Sequence, residues 1–145
     1  MKIYAKILLI FLPIMGFAQE IISQDLYKGT IGNDLKIQFY LKIEEDGCPN
    51  IHASAIYKYE NNKNDNWILL NSTMNYEKGR YTFVEIRNTG ILLLEKKGNS
   101  FNGLWISSDG AKQLSVKLEK QNISGQELEY LEDKLEKEYY NENDC

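Results

Sequence analysis

The chain holds one histidine, His52, and two cysteines, Cys48 and Cys145. That scarcity removes most catalytic chemistry. A hydrolase needs a nucleophile with its base, a pair of carboxylates or a metal. No set of His, Cys, Asp and Glu has the spacing of a four-ligand zinc site, and no Cys-x-x-Cys is present for thiol exchange. Basic charge is nowhere concentrated; Lys96-Lys97 is only a pair. Phosphate binding needs concentrated positive charge, so a nucleic-acid partner is excluded and an anionic membrane surface disfavoured. No apolar run reaches the ~20 residues that cross a bilayer, so stable membrane insertion is not expected. The expectation is no catalytic residue, no metal and no cofactor.

What is present begins at the N-terminus. Lys2 and Lys6 flank a basic start, residues 7–14 are apolar, and Gly16-Phe17-Ala18 places small residues at −3 and −1. This is the pattern of a secretory signal cleaved after Ala18, with a membrane anchor as the rival reading. The working organisation is a signal peptide over 1–18, a β-barrel domain over 19–122 and an acidic C-terminal helix and tail over 123–145. The periplasm or the exterior is the expected location. Removing two lysines with the signal takes the formal charge from −4 to −6. The excess sits in residues 126–145, which hold eight acidic and two basic side chains.

An oxidising compartment permits a disulfide between Cys48 and Cys145, which would pin the tail to the body. Two free thiols, or an intermolecular bond through Cys145, are the alternatives. Glu44-Glu45-Asp46-Gly47 is acidic but lacks the regular ligand steps of a calcium loop. Asn71-Ser72-Thr73 and Asn122-Ile123-Ser124 match the glycosylation acceptor pattern, a match common by chance.

Between residues 25 and 118 the chain reads as eight short strands joined by polar turns. The clearest is 35–43, where Leu35, Ile37, Phe39, Leu41 and Ile43 alternate with Lys36, Gln38, Tyr40 and Lys42. The other strands are placed at 25–31, 51–59, 67–72, 80–87, 91–96, 100–107 and 112–118. Connections this short leave no room for crossover helices, so the sequence predicts a mainly β, antiparallel eight-stranded meander. Closure into a barrel removes exposed edges; a two-sheet sandwich is the alternative. Leu35, Ile37, Phe39, Leu41, Phe83, Trp105, Leu114 and Val116 are expected inside. The parity of Tyr57, Tyr59, Trp67, Tyr81, Phe83, Phe101 and Trp105 also points inward.

Eight-stranded barrels are either packed with side chains or hold one small ligand. Packing is expected here, and Tyr57, Tyr59, Phe83 and Trp105 are the candidate pocket if the interior is hollow. His52 faces away from Ile51, Ala53 and Ala55 and reads as a surface residue. Ser54 shares its face, on a flat strand without an oxyanion-forming turn. Beyond residue 123 the period changes. Ser124 and Glu127 fit a capping box, and Leu128, Leu131, Leu135 and Tyr139 form one apolar stripe. The stripe needs a surface, and the barrel itself is the first choice over a second protein. Tyr40, pointing away from the core, is expected to join Tyr76 in an exposed patch. With Tyr130, Tyr139, Tyr140, Glu132 and Glu136 they make the candidate interface.

Tyr27-Lys28-Gly29-Thr30-Ile31-Gly32, Tyr57-Lys58-Tyr59 and the run from Phe101 through Gly103-Leu104-Trp105 to Asp109-Gly110 resemble small exported proteins of Bacteroidetes-type bacteria. The resemblance covers about residues 26–118. It departs at Ala53-Ser54-Ala55, where the family carries a glycine, and the acidic helix lies beyond it. It implies a lipocalin-like barrel and export, but no catalytic residues. Two functions remain. One is a non-enzymatic binding protein, in concrete form an inhibitor or immunity protein against a basic exported or envelope protein such as a toxin or lysozyme-like enzyme. The other is a carrier of a small apolar ligand.

Overall fold

A computed structural model describes residues 20–46 and 50–144. Cys48, Cys145 and the leader through Ala18 lie outside the described residues, and so do the disulfide and cleavage expectations. The strands are β1 (Glu20–Ile31), β2 (Leu35–Asp46), β3 (Asn50–Tyr59), β4 (Ile68–Asn75), β5 (Arg80–Glu85), β6 (Gly90–Lys97), β7 (Ser100–Ser107) and β8 (Gln113–Gln121), followed by α1 (Gly125–Asn143). Each strand pairs antiparallel with the next, and β1 returns to β8 from Leu26↔Gln121 to Ile31↔Val116, closing the barrel.

Closure brings backbones together tightly at two glycines. A Cβ on Gly29 would sit 1.9 Å from the carbonyl oxygen of Lys117, and one on Gly103 1.9 Å from that of Leu93. Only a residue without a side chain fits either place.

The alternation in β2 puts Ile37, Phe39, Leu41 and Ile43 inside. Around them the interior is filled by rings. Tyr27 meets Phe101 with centroids 4.9 Å apart, Phe39 meets Phe83 at 5.1 Å and Tyr81 meets Phe101 at 5.2 Å, all edge to face. Val116 is buried, while Leu114 and Trp105 are partly covered near one end. Leu35 departs from the expectation: it is 43% exposed, because as the first residue of β2 it sits on the rim.

A second apolar cluster lies outside the barrel, under α1. Leu26, Tyr40, Ile56, Trp67 and Leu69 supply the barrel's share, Leu131 and Leu135 the helix's. Trp67 is therefore not a barrel-core residue, contrary to its expected parity. Residues 67–70 read Trp-Ile-Leu-Leu, apolar on both faces. Ile68 and Leu70 take the inside, leaving Trp67 and Leu69 to the helix. Leu128, Leu131 and Leu135 of the apolar stripe thus dock on their own barrel, while Tyr139, the stripe's last member, stays 62% exposed. Ser124 caps the helix, its Oγ accepting from the Glu127 amide at 3.2 Å.

Candidate binding surfaces

The interior comes first, since a carrier would need it. Tyr57 and Phe83 are fully buried, and Tyr59 and Trp105 are half-buried at the end bearing the β3–β4, β5–β6 and β7–β8 turns. They converge on a residue the sequence reading did not single out, Glu85. Its carboxylate accepts from the Tyr57 hydroxyl at 2.6 Å, from Trp105 Nε1 at 2.8 Å and from the Thr89 hydroxyl. Tyr59 stands beside Tyr57, hydroxyl to hydroxyl at 3.3 Å. Burial, reinforced by the Glu85 carboxylate, pushes the Tyr57 phenol far above its usual value. A buried carboxylate met by three donors is satisfied, and it closes that end of the barrel. The signal was legible: Glu85 continues the inward parity of Tyr81 and Phe83. Asp25 on β1 plays a related part toward the opposite end, with Lys120 Nζ at 2.6 Å and the Tyr27 hydroxyl at 3.4 Å.

The outer face under the helix is polar at its margins. The Tyr40 hydroxyl donates to Glu132 at 2.5 Å, and Lys42 Nζ reaches the same carboxylate at 2.9 Å and Glu44 at 3.0 Å. Tyr40 is therefore wholly buried beneath α1 and forms no exposed patch with Tyr76, which is 40% exposed in the β4–β5 turn. Glu132, expected to face a partner, holds the protein's own helix in place. Asp65 forms the second tether, receiving Tyr130 at 2.5 Å, Lys134 at 2.9 Å and Lys58. Tyr139 and Tyr140 stay outside, 62% and 63% exposed. Glu136 is exposed too and enters no ion pair among the described residues.

Both tethering carboxylates titrate low. Burial alone would raise Asp65, but hydrogen bonds from Lys58, Tyr130 and Lys134 hold it well below the carboxylate range. Burial opposes and the bonds from Tyr40 and Lys42 outweigh it at Glu132, which is also lowered. Depressed carboxyls stabilise the fold above their unfolded pKa of about 4, and that contribution fades as pH falls toward their folded values. We expect denaturant midpoints to drop between pH 7 and pH 3, and Asp65→Asn to flatten part of that drop. Asparagine suits the site because residue 65 has a φ of 51°, which Asn tolerates. An unchanged pH profile in the variant would remove Asp65 from the tether.

His52 is exposed, its Nε2 2.8 Å from an Asp46 carboxylate oxygen, and no hydrogen bond joins it to Ser54 among the described residues. Among the described residues, no three His, Cys, Asp or Glu side chains group as a metal site, and no helix is long and apolar enough to cross a membrane.

Cavities of about 510 and 490 Å³ flank α1. The larger lies between the helix and the β3–β4 seam, lined in part by Lys42, Ala53, Ser72, Glu132, Glu136 and Tyr139. A shallower hollow on the outer helix face, about 320 Å³, is lined by Asp133, Glu136, Lys137 and Tyr140. Comparison of the chain with protein-family models, with curated proteins and with solved structures finds no match.

Proposed function

We propose that this protein is an exported, non-enzymatic binding protein that acts by occupying a basic protein partner, as an inhibitor or immunity protein does. The observation that carries the reading is the exposed C-terminal half of α1. Tyr139 and Tyr140 lie more than half exposed, Tyr140 beside Asp133, Glu136 and Lys137 and Tyr139 beside Glu136, and among the described residues neither tyrosine hydroxyl is engaged. Tyrosines bury large area at small entropic cost, and acids around them steer a basic surface into place. The ring-filled interior supports this reading over carriage of an apolar molecule within the barrel.

The test keeps the helix. Deleting it would uncover Tyr40, Trp67 and Leu69, and non-specific adhesion would follow. Capture from cell-envelope extract is compared between the wild type and Tyr139→Ser/Tyr140→Ser. A basic lysozyme and a basic nuclease are titrated with both forms. We expect a captured or inhibited basic protein that the double variant loses. Identical capture by both forms, with no inhibition by either, would overturn the proposal.

A further inference from the structure

Among the described residues, the ladder between β3 and β4 is the shortest in the barrel. β2 and β3 pair over ten positions, from Ile37↔Tyr59 to Asp46↔Asn50. β3 and β4 pair over three, Ala55↔Leu70, Ile56↔Leu69 and Tyr57↔Ile68. Past Ala55 and Leu70, residues 51–54 and 71–74 continue as strand, each held on its far side by β2 or β5, with no ladder between them. Among the described residues, two strand edges therefore run side by side without pairing, each with backbone donors and acceptors to offer.

Three further observations fall on the same place. Ile51, Ala53 and Met74 point toward the interior yet are only partly buried. Ser72 Oγ is buried without a hydrogen-bond partner. The cavity of about 510 Å³ sits at the head of the seam, under the second half of α1.

Charge selects among occupants. Lys42, the lysine lining the cavity, is already taken by Glu44 and Glu132. Glu136 lines the same cavity and, among the described residues, has no cation. The unneutralised charge is negative. We propose that the open β3–β4 seam receives an extended basic segment of a partner polypeptide as an added strand. Its backbone bonds to the free edges of residues 51–54 and 71–74, and a lysine or arginine meets Glu136. Edge backbone gives affinity without regard to sequence; the half-open sites at Ala53 and Met74 and the Glu136 carboxylate add selectivity. The proposal shares the protein-binding reading above, and Glu136 and Tyr139 border both surfaces; what separates the two is dependence on the partner's backbone and slowed exchange at the seam.

The experiment uses the full chain and three probes: a soluble seven-residue peptide of alternating threonine and valine with a central lysine, its glutamate counterpart, and the lysine peptide N-methylated at alternate residues in both phases. Fluorescence anisotropy measures affinity, and amide hydrogen exchange locates it. We expect the lysine peptide to bind about tenfold tighter than the glutamate peptide. N-methylation should abolish binding, and exchange should slow at residues 51–54 and 71–74. Glu136→Gln should erase the lysine preference while leaving backbone-dependent binding. No slowing at millimolar peptide, slowing confined to other residues, or equal binding of the N-methylated peptides would overturn the proposal. Slowed exchange at the seam together with tyrosine-independent capture would leave it standing and sink the helix-face reading.

Discussion

Replacing Phe39 with alanine is expected to cost about 3–5 kcal/mol, the range for a large ring removed from a closed core. Phe39 is wholly buried and lies at the centre of the aromatic set, with ring centroids 5.1 Å from Phe83, 6.3 Å from Phe101 and 6.4 Å from Tyr27. Those rings stand on four different strands, so no single strand can move inward to fill the gap. A domain of this size has roughly 5–15 kcal/mol in total, so the variant should remain folded in water but unfold at much lower denaturant. Guanidinium titration followed by tryptophan fluorescence gives the number. A loss below about 1 kcal/mol would mean that the interior is loosely packed, and it would restore the carrier reading that the ring packing disfavours.

The barrel was legible because its evidence is local. A period of two in β2 fixes which side chains face inward, and turns too short for helices fix antiparallel neighbours. Closure followed from the argument that a barrel leaves no exposed edge. Parity failed where both faces of a strand are apolar. At residues 67–70 nothing in the sequence says which pair belongs to the barrel and which to the helix. Tyr40 failed for a related reason. An outward tyrosine on a half-buried strand reads as exposed until the helix that covers it is placed, and that placement is a contact across more than 90 residues of chain.

The candidate surfaces were less legible. Glu132 was read as partner-facing because a charged helix face looks free in sequence. Its bonds go to Lys42 and Tyr40 on the barrel, residues far away in the chain and joined to it only by the fold. Tyr130 stays 39% exposed while its hydroxyl donates to Asp65. Tyr139, Tyr140 and Glu136 do remain exposed. The seam had no sequence signal, because residues 51–54 and 71–72 read as ordinary strand, and 73–74 fell beyond the strand placed at 67–72. What separates them is the missing ladder between them, a property of the pair and not of either strand.

The helix carries the second large effect. Leu131 is 1% exposed, packed among Leu26, Tyr40, Ile56, Trp67 and Leu69. Leu131→Ala is expected to cost about 2–5 kcal/mol, as for a buried leucine whose cavity collapses only partly. Leu128, only partly buried at the margin of the same cluster, should cost distinctly less when truncated. The pattern of loss is as informative as its size. Because α1 docks on its own barrel, the midpoint of unfolding should not move with protein concentration; a helix shared between chains would make it do so. Hydrogen exchange should show the α1 amides quickening first in Leu131→Ala, with the ring-packed interior still protected, since the two apolar clusters lie on opposite faces of the sheet. Uniform quickening across barrel and helix would show instead that the two form one cooperative unit. A loss under about 1 kcal/mol would mean that the helix adds little to the fold, leaving its apolar stripe free for another protein.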